Sequence, residues 1–85
     1  MPSLPKEGPR AAIDIGTNSV RLLVADLSAR PPRRISGDLR ITRLGEGLDR
    51  TGRIAEEAAA RTEAAVADFA RAARGLGAEP SAFGT

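Results

Sequence analysis

Arg10-Ala11-Ala12-Ile13-Asp14-Ile15-Gly16-Thr17-Asn18-Ser19-Val20-Arg21-Leu22-Leu23-Val24-Ala25-Asp26-Leu27 is the stretch whose reading decides the fold. Ala11 to Ile15 is a short, mostly apolar run with β-branched residues, and Val20 to Leu27 is a second, the length and composition of strands. Between them lie Gly16, Thr17, Asn18 and Ser19, and Gly and Asn tolerate φ > 0 where a hairpin must reverse. Two antiparallel neighbours are therefore expected, over Arg10 to Gly16 and Ser19 to Leu27.

Downstream, adjacent Pro31 and Pro32 keep Ser28 to Arg34 out of any central strand, because proline lacks the ladder N–H. That segment is expected as a turn. A third strand follows over Arg34 to Leu44, with Asp38, Arg40 and Thr42 alternating against Leu39, Ile41 and Arg43, and with Gly37 as the candidate bulge. The glycines between Gly45 and Arg53 suggest an ordered loop. From Ile54 to Leu76 the apolar period lengthens to between three and four. Ile54, Ala58, Thr62, Ala65, Val66, Phe69, Ala73 and Leu76 share one stripe of a long amphipathic helix. Glu56 and Glu57 suit its first turn, Arg71 and Arg74 its last, and Glu57 and Arg61 have the spacing of a helical ion pair. Gly77 is the expected left-handed stop. Pro80 marks the exit, and Ser81 to Thr85 reads as the start of another strand.

The chain of 85 residues allows one small domain or part of a larger one. Its apolar content is 41%, but 16 residues are alanine, each of which contributes little burial. A thin core follows. Without cysteine or histidine there are no disulfides, zinc fingers, thiol nucleophiles or Ser-His-Asp triads, and any metal must be held by oxygen. No apolar run approaches the roughly 20 residues of a membrane span. Met1 to Pro9 has no apolar core of a signal peptide and reads as a disordered terminus, which points to a cytoplasmic protein. The net charge of +2 is too small to indicate nucleic-acid binding. Arginine's planar fork matches phosphate, yet an Arg- and Ala-rich sequence is as readily a compositional bias.

The chemistry concentrates in Asp14 to Ser19. An aspartate at a strand end, then a glycine, then hydroxyl and amide side chains on a tight turn form what a phosphate cradle needs. Glycine lets the backbone approach a ligand, turn N–H groups make an anion nest, Thr17 and Ser19 add hydroxyls, and the carboxylate can hold a hydrated Mg²⁺. The alternative is an ordinary hairpin turn whose strand-end Asp caps backbone amides.

Ala12 to Val24 resembles the first phosphate-binding motif of the exopolyphosphatase / guanosine-pentaphosphate phosphohydrolase family, within the actin, sugar-kinase and Hsp70 superfamily. The resemblance extends through Arg43-Leu44-Gly45-Glu46-Gly47-Leu48-Asp49, Thr51-Gly52-Arg53-Ile54 and the alanine-rich helix to Leu76-Gly77-Ala78-Glu79. It implies an α/β fold, the N-terminal part of an actin-like (ribonuclease H-like) domain: three antiparallel strands and one long helix over residues 10–85, truncated before the fourth strand. It also implies hydrolytic release of terminal phosphate from polyphosphate or guanosine pentaphosphate. Asp14 would face the Mg²⁺; Gly16, Thr17, Asn18 and Ser19 would form the phosphate loop; Arg21 would reach the phosphates, unless it is a solvent-facing strand residue. Arg43 and Glu46 match the family pattern, Glu46 more as a loop-shaping residue than as a catalyst. The catalytic glutamate would lie beyond this chain, so the 85-mer alone is expected to be inactive. Its partner would be the remainder of a two-domain enzyme, with a homodimer of the full-length protein left open and neither membrane nor nucleic acid involved. One departure is Ala55 at the helix start, where relatives often place a Ser or Thr cap. A non-catalytic truncated module, or a phosphate- or partner-binding domain, is the second reading; a sugar-kinase relative is disfavoured by Gly45-Glu46-Gly47.

Overall fold

The computed structural model describes residues 8–84, the side chain of Asp49 excepted. In chain order it forms β1 (Pro9–Ile15), β2 (Ser19–Asp26), β3 (Arg33–Ile41), α1 (Leu48–Thr51), α2 (Glu56–Gly75) and β4 (Pro80–Gly84). β1 and β2 make the expected hairpin, in register from Pro9↔Asp26 to Ile15↔Val20. β3 returns antiparallel along β2. Its irregularity falls at Ile35, between the pairs Ala25↔Arg34 and Val24↔Ser36, and not at Gly37, which pairs regularly with Leu23. Gly37 serves a different need, lying directly beneath the Arg34 guanidinium.

The three antiparallel strands expected from the sequence gain a fourth. β4 lies parallel to β1, from Ala11↔Pro80 to Ile15↔Gly84, and gives a mixed sheet of order β3-β2-β1-β4. Parallel pairing demands a long crossover, which α2 provides. The loop expected over Gly45 to Arg53 contains the short helix α1, bounded by left-handed Gly47 and Gly52. Of the N-terminal segment expected to be disordered, residues 1–7 lie outside the described residues, as does Thr85 at the other end. The Gly8 carbonyl already accepts the Leu27 N–H at 2.9 Å, and Pro9 opens β1.

One face of the hairpin is apolar because strand side chains alternate. Ala11, Ile13, Val20, Leu22 and Val24 are buried against α2, which contributes Ala65, Phe69 and Ala73, with Val66 partly buried. Phe69 is the one large side chain that α2 buries fully; the rest of its buried stripe is Ala58, Thr62, Ala65 and Ala73. The core is accordingly thin. Thr62 satisfies its buried hydroxyl by donating to the Ala58 carbonyl at 2.9 Å. Ile54 and Leu76, assigned to the same stripe by period, are 52% and 42% exposed. Both fall outside the helix, so the 3.6-residue period does not carry them onto its buried face.

At the helix start Ala55 offers no side-chain cap, as its chemistry dictates. The far end is closed by a Schellman motif: Gly77 is left-handed (φ 81°), its N–H bonds the Arg74 carbonyl, and the N–H of buried Ala78 reaches the Ala73 carbonyl. Arg40 ties β3 to the helix, pairing with Asp68 at 2.7 Å while its guanidinium carbon lies 5.4 Å from the Phe69 ring centroid. Arg71 also pairs with Asp68. On the opposite face of the sheet Leu23, Leu39, Ile41 and Phe83 are 44–50% exposed. No helix among the described residues is long and apolar enough to cross a membrane.

Candidate functional site

The hairpin turn between β1 and β2 is closed by the Gly16 N–H donating to the Ser19 carbonyl at 2.9 Å. Thr17 and Asn18 form its exposed tip. The described residues with positive φ include none in this turn, so the chain reverses without the left-handed backbone that Gly16 and Asn18 would tolerate. The tip is held instead by its carbonyls. The Asn18 carbonyl accepts the N–H groups of Thr42 and Arg43, both at 3.0 Å, and the Thr17 carbonyl accepts the Gly45 N–H at 2.9 Å. These bonds draw the chain off the β2 ladder after Ile41, which is why β3 stops short of the expected Leu44. With their carbonyls committed to one side, the Thr17 and Asn18 N–H groups are left without a partner among the described residues.

The turn and the segment following β3 are thus one unit. Gly45 sits so close that a Cβ there would stand 3.3 Å from the Thr17 Cβ. Between them opens a cleft of about 480 Å³ lined by Thr17, Asn18, Arg43, Gly45, Glu46 and Leu48. Arg61 braces this unit from α2. Its Nε donates to the Thr42 carbonyl at 2.9 Å and its Nη2 to Glu46 Oε2 at 2.7 Å, so it serves the loop and not the helical pairing with Glu57 that spacing suggested. Glu46 therefore has a shaping role, its carboxylate engaged by Arg61.

Asp14 and Arg21 are cross-strand partners, with Phe83 of β4 beside Asp14. In-register residues share a face, so both belong to the side of the sheet away from α2. Asp14 Oδ1 is buried with no hydrogen-bond partner. Such an orphan costs its full desolvation unless a ligand meets it, and a hard cation that keeps waters and phosphate oxygens as its other ligands suits it. The described residues contain no cluster of three or more metal-binding side chains, so among them Asp14 is the carboxylate that would meet Mg²⁺. Arg21 is exposed and lines a separate cleft of about 420 Å³ with Leu23, Arg34, Gly37 and Leu39. Thr17 and Asn18 therefore share one cleft, Arg21 opens onto another, and Asp14 lines neither. Thr42 to Glu46, which sequence reading divided between the end of the third strand and an ordered loop beginning at Gly45, is what orders the turn.

The same arrangement recurs in proteins of known kind. The type II variant of the Aquifex aeolicus Ppx/GppA phosphatase matches 91% of this chain and 26% of its own, with a TM-score of 0.85 and 28% identity. Exopolyphosphatase 2 of Mycobacterium tuberculosis is 53% identical over 64 residues, 71% of this chain and 20% of that protein. The chain carries part of the Ppx/GppA phosphatase fold. An exopolyphosphatase from Cytophaga hutchinsonii agrees, with a TM-score of 0.81, 27% identity, and 89% and 25% of the two chains covered. The chain thus spans about a fifth of its curated relative and about a quarter of the solved structures. No protein-family model matches it. The resemblance carried by Ala12 to Val24 and Arg43 to Asp49 is borne out, and with it the actin-like α/β class.

Proposed function

We propose that this chain supplies the phosphate cradle of a cytoplasmic, Mg²⁺-dependent phosphoanhydride hydrolase releasing terminal phosphate from polyphosphate or guanosine pentaphosphate. The observation that carries this reading is the orphaned Asp14 Oδ1, buried two residues before a turn that holds out unpartnered N–H groups. In the reading, the Thr17 and Asn18 amides and the Thr17 and Ser19 hydroxyls donate to phosphate oxygens. Gly16 leaves room beside the strand end, and Arg21 supplies a charged fork from β2. Asp14 holds the Mg²⁺, which when bound neutralises charge on the phosphoryl oxygens. These residues bind and orient. Orienting the attacking water falls to the glutamate in the remainder of the two-domain enzyme.

Mn²⁺, which shares magnesium's preference for oxygen ligands, gives a direct test. Added with triphosphate to the 85-residue chain, it should broaden the amide signals of Asp14 to Ser19 first, and Asp14→Asn should abolish that broadening. Broadening centred on other carboxylates, or persisting in Asp14→Asn, rules out the metal role. Phosphate release from long-chain polyphosphate by the same sample should stay at background. Turnover that depends on Asp14 would show that the chain needs no further residues for catalysis.

A further inference from the structure

Among the described residues Arg43 is the non-glycine residue with a left-handed backbone, φ 51°. That region is the province of Gly and, less often, Asn or Asp, because Cβ crowds the following carbonyl. Here the conformation is held at both ends of the residue. The Arg43 N–H donates to the Asn18 carbonyl at 3.0 Å, and its own carbonyl accepts the Glu46 N–H at 2.9 Å. A glycine would satisfy the same hydrogen bonds with less strain. An arginine in such a place points to work done by its side chain, since strained backbone concentrates where function over-determines it.

The surroundings say what that work is. Arg43 lines the cleft with Thr17 and Asn18 and also the adjoining one with Ile41, Glu46 and Arg61, so it stands on the rim between them. The nearby carboxylate, Glu46, is already paired with Arg61 at 2.7 Å. Among the described residues no ion pair or hydrogen bond engages the Arg43 guanidinium. Across the cleft stand Thr17, with its hydroxyl, and Asn18, with its side-chain amide. We propose that Arg43 is a substrate-binding residue, a guanidinium clamp that grips a condensed phosphate chain from the β3–α1 side, opposite the side chains of Thr17 and Asn18. This deepens the phosphate-cradle reading and rests on it. Donors on both walls suit a chain of linked phosphoryl groups, and the planar fork suits their paired oxygens.

The test follows amide shifts of the 85-residue chain on titration with triphosphate. Arg43→Gly and Arg43→Asn both accept the left-handed backbone and should fold, Arg43→Gly with a higher Tm. Both should weaken binding about tenfold or more, and Arg43→Lys, which keeps the charge but loses the planar fork, should bind more tightly than either and more weakly than the parent. Arg53→Ala removes the same charge from an exposed site outside the cleft and should leave affinity within about twofold, as expected for a screened surface charge. If Arg43→Gly binds as tightly as the parent while Thr17 and Asn18 still shift, the clamp is refuted and the cradle stands. If triphosphate shifts neither Thr17 nor Asn18 in the parent, both are refuted.

Discussion

Replacing Phe69 by alanine tests whether α2 is held by packing or by its own helical preference. Phe69 is 3% exposed, and its companions on the buried stripe are Ala58, Thr62, Ala65 and Ala73, none of which can fill the space it would vacate. A Phe→Ala change in a core typically costs about 3–5 kcal/mol. The contact with Arg40 adds roughly 0.5–1 kcal/mol. At about 0.05–0.15 kcal/mol per residue, a chain of this length has a stability of about 4–13 kcal/mol, so the loss is a third of the total or nearly all of it. With a urea slope near ~1 kcal/mol/M, the midpoint of helix loss followed by circular dichroism should fall by about 3 M or more. Ala64→Gly, on the exposed side, is the control for helical preference alone and should cost about 1 kcal/mol. A Phe69→Ala midpoint no lower than that of Ala64→Gly would show that docking on the sheet does not hold the helix.

Gly77→Ala meets no atom within 4 Å of the added Cβ, so its effect isolates the left-handed backbone: a loss of about 1–2 kcal/mol and a fall in Tm of roughly 5–15 °C, with an unchanged Tm counting against the Schellman closure. Acid should weaken the fold through Asp68, held below the usual carboxylate range chiefly by its hydrogen bond from Arg40 and further by the charges of Arg40 and Arg71. Because its folded pKa is depressed, this contribution is complete above the unfolded value of about 3.9 and disappears as pH falls through the folded one. Tm measured from pH 7 to pH 2 should therefore separate the parent from Asp68→Asn at neutral pH and bring the two together at the acid end; curves that stay parallel would contradict the pairing.

The hairpin and α2 were legible because each announces itself locally. Alternating Ile13, Val20, Leu22 and Val24 and the stripe from Ala58 to Ala73 are periods that a single element imposes on its own residues. β4 was legible only as the start of a strand over Ser81 to Thr85, because its five residues carry no alternation to speak of; its parallel pairing with β1 exists only once α2 has carried the chain across. The same distinction divides the site. Asp14 and the turn are contiguous in sequence, so residue type marked them as a candidate cradle beside the alternative of an ordinary hairpin turn. Their support from Thr42, Arg43, Gly45 and Arg61 depends on carbonyls of Thr17 and Asn18 facing a segment more than twenty residues away. Spacing does not reveal which way a carbonyl points, nor that Arg43 takes a glycine's backbone.

The sheet ends in two unlike borders. β3 carries Arg33, Arg34 and Arg40 and a bulge at Ile35, features that discourage a foreign strand from adding to it. β4 has only Pro80 at its entrance; beyond it Ser81, Ala82, Phe83 and Gly84 are uncharged and exposed, with backbone groups along the outer side unclaimed by any described strand. That border is a template for β-addition. As protein concentration rises, the 85-residue chain should self-associate through β4, so dilution and a charge placed at Ala82 are the means of keeping it monomeric.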